Sequence, residues 1–220
     1  MIHLTETLAV HTIEDFLSPT EVNRLNHAVD KFLDATGWRP SRSAEVVRLP
    51  ENVQDIMGNA LRRNLPAVQR VVPSVSGAAA WEYVELSPGQ AVPSHLDGIG
   101  PDPMAYPHRI ARMSVVIADA ARGGDFYVET TSSELPWNPG PTGGNGYDPR
   151  MRFTRIATHE SVEDGDESAG WISHTPRTRW TTTAGVGVAV VYGAQLIHGV
   201  TPVVSGKVRK LITNLTDQPV

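Results

Sequence analysis

From about Gly77 onward the apolar residues gather in short runs rich in Val, Ile, Tyr and Trp, bounded by Gly and Pro, and no helical pattern separates them. The runs are Ala80 to Leu86, Arg112 to Ala118, Asp125 to Glu129, Gly185 to Tyr192 and Val208 to Leu215. Parallel strands need a crossover between them, usually a helix, so consecutive short strands without one pair antiparallel. The pattern predicts a sandwich, jelly roll or barrel and excludes a doubly wound sheet, which places any chemistry in a barrel mouth.

The first third reads as helices laid against that sheet. Ser18 can cap, Pro19 suits the first helical position and Glu21 can close a capping box. Val22, Leu25, Val29, Phe32 and Leu33 then form one apolar stripe, stopped by Gly37 and Pro40. A second helix is expected from about Asn52 to Leu65, ending before Pro66. We expect one domain over residues 1–220: a helical N-terminal support over 1–76 and a β core over 77–220, with a lid-like insert at 130–183 dense in Gly, Pro, Asn and Arg.

Composition narrows the chemistry. The chain has no cysteine, so disulfides, thiolate zinc sites, iron–sulfur clusters and cysteine nucleophiles are excluded, and a metal must use His, Asp or Glu. The net charge of -5 opposes phosphate, and no aromatic and basic base-flipping segment is evident, so a nucleic-acid partner is not expected. No run approaches 18 uninterrupted apolar residues and no cationic-then-apolar leader opens the chain, so neither a membrane partner nor export is expected; the default is a cytoplasmic protein.

His95 and Asp97 lie two residues apart, so on a strand both face one side and can grip one ion. Such a pair is also common on polar surface. A second imidazole, His198, closes the apolar strand before Gly199-Val200-Thr201-Pro202. A histidine there is equally satisfied by a backbone carbonyl, but two His and one carboxylate compose the facial triad that suits Fe(II) with positions left open. His108, eleven residues beyond Asp97, is the alternative third member, in a local His-Asp-His cluster. Ser205-Gly206-Lys207-Val208-Arg209-Lys210 follows with three cations. A guanidinium suits a buried dicarboxylate, whereas a solvated basic turn needs no ligand. Strand alternation puts Lys207 and Arg209 on one side and Lys210 on the other, and leaves open which side faces inward.

These residues resemble the Fe(II)- and 2-oxoglutarate-dependent dioxygenases, in their prolyl 4-hydroxylase-like branch, over most of the chain. Ile13 to Glu21 looks like that branch's entry into its first helix, and Ser87-Pro88-Gly89 with His95-Leu96-Asp97 looks like its Pro-Gly turn and His-x-Asp. Arg112 to Ala118 with Gly123-Gly124-Asp125 looks like its central strand and Gly-Gly turn. His198 to Val203 with Ser205-Gly206 looks like its distal His and return hairpin. The resemblance implies a mainly β double-stranded β-helix, the jelly roll shared with cupins, preceded by N-terminal helices. It implies Fe(II) on His95, Asp97 and His198, with 2-oxoglutarate and O2 as co-substrates. For the far carboxylate of 2-oxoglutarate, the branch's usual position, ten residues after the distal His, is occupied by Val208; other branches use eleven, which selects Arg209, with Lys207 the nearer rival and Ser114 an assisting hydroxyl. The carboxylate at Asp97 implies hydroxylation or a related oxidation of an unactivated C–H bond, where halogenating relatives carry a small residue.

The expected substrate is a small molecule, an amino acid or carboxylate-bearing metabolite, met by loop residues among which Tyr106, Arg109, Trp171, Arg177 and Arg179 are the candidates. Trp137, Trp171 and Trp180 are read first as anchors packing the insert to the barrel. A peptidyl or protein hydroxylase of the same family is the alternative, and a non-oxidative cupin-type metal-binding protein is the rival from another class; the latter usually offers a His-x-His, which this chain lacks.

Overall fold

The structure, a computed structural model, describes residues 1–99, 105–131 and 177–218, with residues 131 and 177 described by their backbone alone. A short 3-10 turn (Leu4–Leu8) leads into β1 (Val10–Ile13), and α1 (Pro19–Thr36), β2 (Val46–Arg48) and α2 (Glu51–Gln69) follow. The remaining strands are β3 (Gly77–Ala78), β4 (Glu82–Leu86), β5 (Val92–His95), β6 (Arg109–Ala118), β7 (Arg122–Gly123), β8 (Phe126–Thr131), β9 (Arg177–Thr182), β10 (Ala189–Gly193), β11 (Ile197–Val200), β12 (Val203–Ser205) and β13 (Val208–Thr216). Among the described residues every pairing is antiparallel.

Helix α1 begins as its sequence requires. The Ser18 hydroxyl accepts from the Glu21 backbone N–H at 3.3 Å, and the Glu21 carboxylate accepts from the Ser18 N–H at 2.8 Å. Gly37 ends the helix at φ 67°, where a side chain would be strained, and donates its N–H to Leu33 O. Arg63 of α2 bonds the same Glu21 at 3.0 Å, tying the two helices. Helix α2 outruns its expected end and passes through Pro66 to Gln69. The ring removes one helical hydrogen bond, but continuing the helix buries Val68 completely, and that burial offsets the loss.

The larger sheet runs β1-β10-β6-β13-β4-β2, with β3 beside β13; a smaller one runs β5-β11-β8-β9. Two strands thus lie within the stretch expected to be a helical support, and strand β9 lies inside the expected insert; the insert between residues 132 and 176 lies outside the described residues. Alternation gives the larger sheet two unlike faces. Tyr83, Met113, Val115, Ile117, Ala189, Val191, Leu211 and Leu215 join one core with Val22, Leu25 and Val29 of α1 and Val53, Met57 and Ala60 of α2. The opposite face carries Glu82, Val84, Arg112, Ser114, Val116, Val190, Tyr192, Lys210 and Ile212, and looks toward the smaller sheet. This is the double-stranded β-helix expected. Among the described residues, no helix is long and apolar enough to cross a membrane.

The cap makes a direct prediction: Ser18→Ala lowers the unfolding free energy by about 1 kcal/mol, read from urea denaturation, with no change in slope.

Candidate metal centre

Strand β5 ends on His95, and His198 of β11 is its direct cross-strand partner, which brings the ring centroids to 4.3 Å. Asp97 follows two residues on and is fully buried. Its Oδ1 lies 3.8 Å from His95 Nε2 and its Oδ2 3.5 Å from His198 Nε2. One donor atom from each of the three lies within 4.8 Å of the others.

Both imidazoles are oriented by their own strands. His95 Nδ1 meets Pro93 O at 2.9 Å, and His198 Nδ1 meets Leu196 O at 2.9 Å. A carbonyl only accepts, so each Nδ1 carries a proton, and Nε2 is the nitrogen each ring turns to the centre. Burial, aided by His95 and opposed by Asp97, lowers His198 to about 3, so its ring is neutral, the form that ligates. For Asp97 burial pushes the carboxyl up, but the Arg112 charge and then the two imidazoles outweigh it and hold it well below the usual range.

Arg112 Nη1 donates to Asp97 Oδ1, and Arg109 Nη1 donates to the Asp97 backbone O at 3.1 Å. Asp97 Oδ2 is buried with no hydrogen-bond partner. Leaving such an oxygen bare is costly, and a cation between it and the two Nε2 atoms supplies the missing contact. Two imidazole nitrogens and one carboxylate, without sulfur, fit Fe(II). Tyr192 packs on the His198 ring at 4.4 Å and Phe126 at 5.8 Å, forming an aromatic floor. On the far side of β11, the Tyr127 hydroxyl crosses Gly199 to reach Val92 O at 3.3 Å and Ser94 Oγ at 3.0 Å. A Cβ at residue 199 would collide with that hydroxyl, which explains the glycine beside His198.

The cations after Gly206 fall differently from expectation. Arg209 faces the helices: its guanidinium bonds the Tyr83 hydroxyl at 2.7 Å, Asn26 at 3.0 Å and Asp30 at 2.6 Å. Lys207 is exposed and bonds Glu85 at 2.7 Å. Lys210 instead is buried on the inner face and lines a cavity with Ser114, Val116, Phe126 and Val190, and with Asp119 and Asp125. Alternation did separate Lys207 and Arg209 from Lys210, but the inward side is that of Lys210. Burial lowers the Lys210 ammonium to about 8, against the pull of Asp119 and Asp125.

Of the expected substrate contacts, Arg109 touches Asp97, while Tyr106 is half exposed and stands edge-on to His108 at 4.2 Å. Arg179 lies on the face of the smaller sheet turned away from His198, bonded to Glu129 at 3.0 Å and stacked over Tyr127. Trp171 and the Arg177 side chain lie outside the described residues. His108 pairs with Asp217 at 2.6 Å and is not part of the His95, Asp97 and His198 cluster. Trp180 is 62% exposed, which is not the packing of an anchor. The sequence reading missed Arg112 and Tyr192; the one signal for Arg112 was a charge inside the apolar run from Ile110 to Ala118.

No family model matches the sequence, and no curated protein is significantly similar to it. Solved structures do match. A collagen prolyl hydroxylase of Paramecium bursaria chlorella virus 1, in complex with 2-oxoglutarate, is 16% identical over 97% of this chain and 98% of its own, with a TM-score of 0.56. The non-heme, α-ketoglutarate-dependent carbocyclase SnoK of nogalamycin biosynthesis is 15% identical over 96% and 80%, with a TM-score of 0.61. HygX of Streptomyces hygroscopicus, with nickel and 2-oxoglutarate bound, is 11% identical over 97% and 84%, with a TM-score of 0.59. The chain shares the fold of these proteins.

Two outcomes follow for stability. Anaerobic Co(II) raises the melting temperature, by about 2.7 kcal/mol of added stability at a hundredfold excess over Kd, and His198→Ala abolishes the rise. Arg209→Ala lowers the midpoint of the metal-free protein, because it releases α1 from the sheet, yet keeps the full Co(II) response; both are read by scanning calorimetry.

Proposed function

We propose that this protein is an Fe(II)- and 2-oxoglutarate-dependent oxygenase that hydroxylates, or similarly oxidises, an unactivated C–H bond of a small carboxylate-bearing molecule. The observation that carries the proposal is a His-Asp-His donor set and a buried ammonium, Lys210, on the inner faces of two facing sheets. A fold likeness to SnoK and HygX supports it.

When bound, the iron supplies the activation of dioxygen that couples decarboxylation of 2-oxoglutarate to oxidation of the substrate. His95 Nε2, His198 Nε2 and the Asp97 carboxylate hold the metal, and with only three protein donors they leave positions for ligands. The carbonyls of Pro93 and Leu196 fix the two ring orientations, and Arg112 fixes the carboxylate. We assign the far carboxylate of 2-oxoglutarate to the Lys210 ammonium, with the buried Ser114 hydroxyl beside it. Phe126, Val190 and Tyr192 form one apolar cluster alongside, and low-polarity neighbours strengthen the attraction between ammonium and carboxylate. Arg109, bonded to the Asp97 backbone carbonyl, brings positive charge to the metal end, which suits an anionic substrate.

A peptide substrate is the second reading, favoured by the end-to-end match to the viral collagen prolyl hydroxylase. The cupin reading is disfavoured, because among the described residues the metal cluster contains two histidines, one aspartate and no third imidazole.

Succinate release by anaerobically iron-loaded protein on admission of oxygen, with pools of amino and small acids beside proline-rich peptides, tests the class and separates the two substrates. Lys210→Met raises the KM for 2-oxoglutarate at least tenfold, whereas Arg209→Ala leaves it within twofold. Binding also follows pH. The ammonium form binds the anion, so as pH rises through about 8 the free protein loses that form and the apparent Kd for 2-oxoglutarate, read by calorimetric titration of the Co(II) protein, climbs. In Lys210→Met this rise is absent.

A further inference from the structure

The smaller sheet places Trp180 in a row with a metal ligand. His198 of β11 is paired with Val128 of β8, and Val128 is paired with Trp180 of β9. Residues directly opposite across antiparallel strands share a face, so the three side chains project toward the barrel interior. Two strand spacings separate His198 from Trp180, about 10 Å. Trp180 sits on the edge strand, 62% exposed, and among the described residues its indole makes no ring contact.

A lone exposed tryptophan is ordinary surface. This one stands on the face that holds the metal ligand, and the surface around it is selective. By alternation Thr178 and Thr182 share its face on β9, and Val128 shares it on β8. None of these carries a charge, so a cation has no carboxylate there to settle on. Glu129 and Arg179 point to the opposite face, bonded to each other. The wall offered beside the metal is flat, aromatic and neutral, while the larger sheet contributes Arg109 and Arg112 at Asp97.

We infer that Trp180 is the sorting wall of the substrate site: its indole takes a flat ring of the substrate, and the site selects ring-bearing carboxylates over acyclic ones of the same charge. The inference rests on the oxygenase reading only for what happens to the bound molecule. Trp180 acts in binding and touches neither the metal nor Lys210.

The test is calorimetric titration of phenylacetate, 3-phenylpropanoate and indole-3-acetate, beside hexanoate and butanoate, into Co(II)- and 2-oxoglutarate-loaded wild type, Trp180→Ala and Trp180→Phe. In the wild type the ring acids bind about tenfold more tightly than the acyclic acids. Trp180→Ala brings the two groups within twofold, Trp180→Phe keeps most of the difference, and the Kd for 2-oxoglutarate is the same in all three proteins. Equal binding of ring and acyclic acids by the wild type overturns the inference, as does ring-acid affinity that survives Trp180→Ala. Parallel loss of Co(II) and 2-oxoglutarate binding in both variants also overturns it, since Trp180 would then be holding the sheet. A wild type that binds ring acids through Trp180 but takes up no 2-oxoglutarate removes the oxygenase reading and leaves the wall standing; one that binds 2-oxoglutarate and releases succinate while ignoring Trp180 does the reverse.

Discussion

A carboxylate sealed from water between two sheets needs compensating charge, and the pairing of Asp97 with Arg112 meets that need across the gap. Asp97 leaves β5 on the smaller sheet, while Arg112 projects from β6 on the larger one. Stripping either partner from such a pair typically costs about 3–5 kcal/mol, because the survivor is left charged and dry. The bond therefore fixes the distance between the sheets at the end where His95 and His198 meet, and Arg109 reinforces it through the Asp97 carbonyl. It also divides the two carboxylate oxygens. Oδ1 is bonded to the guanidinium, and Oδ2 is left without a hydrogen bond, 3.5 Å from His198 Nε2. The group that orders the fold thus keeps the carboxylate ionised and presents one oxygen where a cation would sit.

What the sequence disclosed and what it withheld divide along the same physical line. Helix α1 was legible because its signals are local: a cap, a proline at the first position and a glycine at the end. His95, Asp97 and His198 were legible because spacing on a strand and a terminal histidine are local too. The direction of Lys210 was not. Strand β13 is buried on both faces, with Leu211 and Leu215 against the helices and Val208 and Ile212 also covered, so no hydrophobic alternation marks the inward side. The deciding partners, Asn26, Asp30 and Tyr83, sit far away in sequence and claim Arg209 for the outer face. Arg112 was hidden for a related reason, since its counter-charge comes from another sheet. The continuation of α2 past Pro66 likewise depends on a buried Val68 that only the packed core can value.

The two sheets do different work with the same alternation. The larger one spends one face on the helices, and its other face carries the cations, from Lys210 to Arg112. The smaller one is anchored from behind by Tyr127, whose hydroxyl passes over Gly199 to join β5 and holds the strand bearing His198 against the strand bearing His95. Because the imidazoles are opposite partners in that pairing, a slip of one residue would turn His198 to the wrong face and dismantle the cluster. The glycine is therefore a condition of register as well as of space.

Register also orders the inward side chains along the barrel. On β8 and β9, Phe126 and Thr182 lie level with the cavity lined by Lys210, and two residues further along, about 7 Å, Val128 and Trp180 lie level with His198. On the larger sheet the same step separates Ser114 from Arg112, and Val190 from Tyr192. An anion held by Lys210 would thus lie one step along the strands from the metal ligands, and a molecule resting on Trp180 would lie level with them across the sheet, so the two need not compete for the same contacts. That separation would allow a substrate wall at Trp180 to vary while an anion site at Lys210 stays fixed, because Trp180 is not among the residues lining the Lys210 cavity. Phe126 spans the two levels, since it lines the Lys210 cavity and also stacks on the His198 ring, where Tyr192 packs beside it.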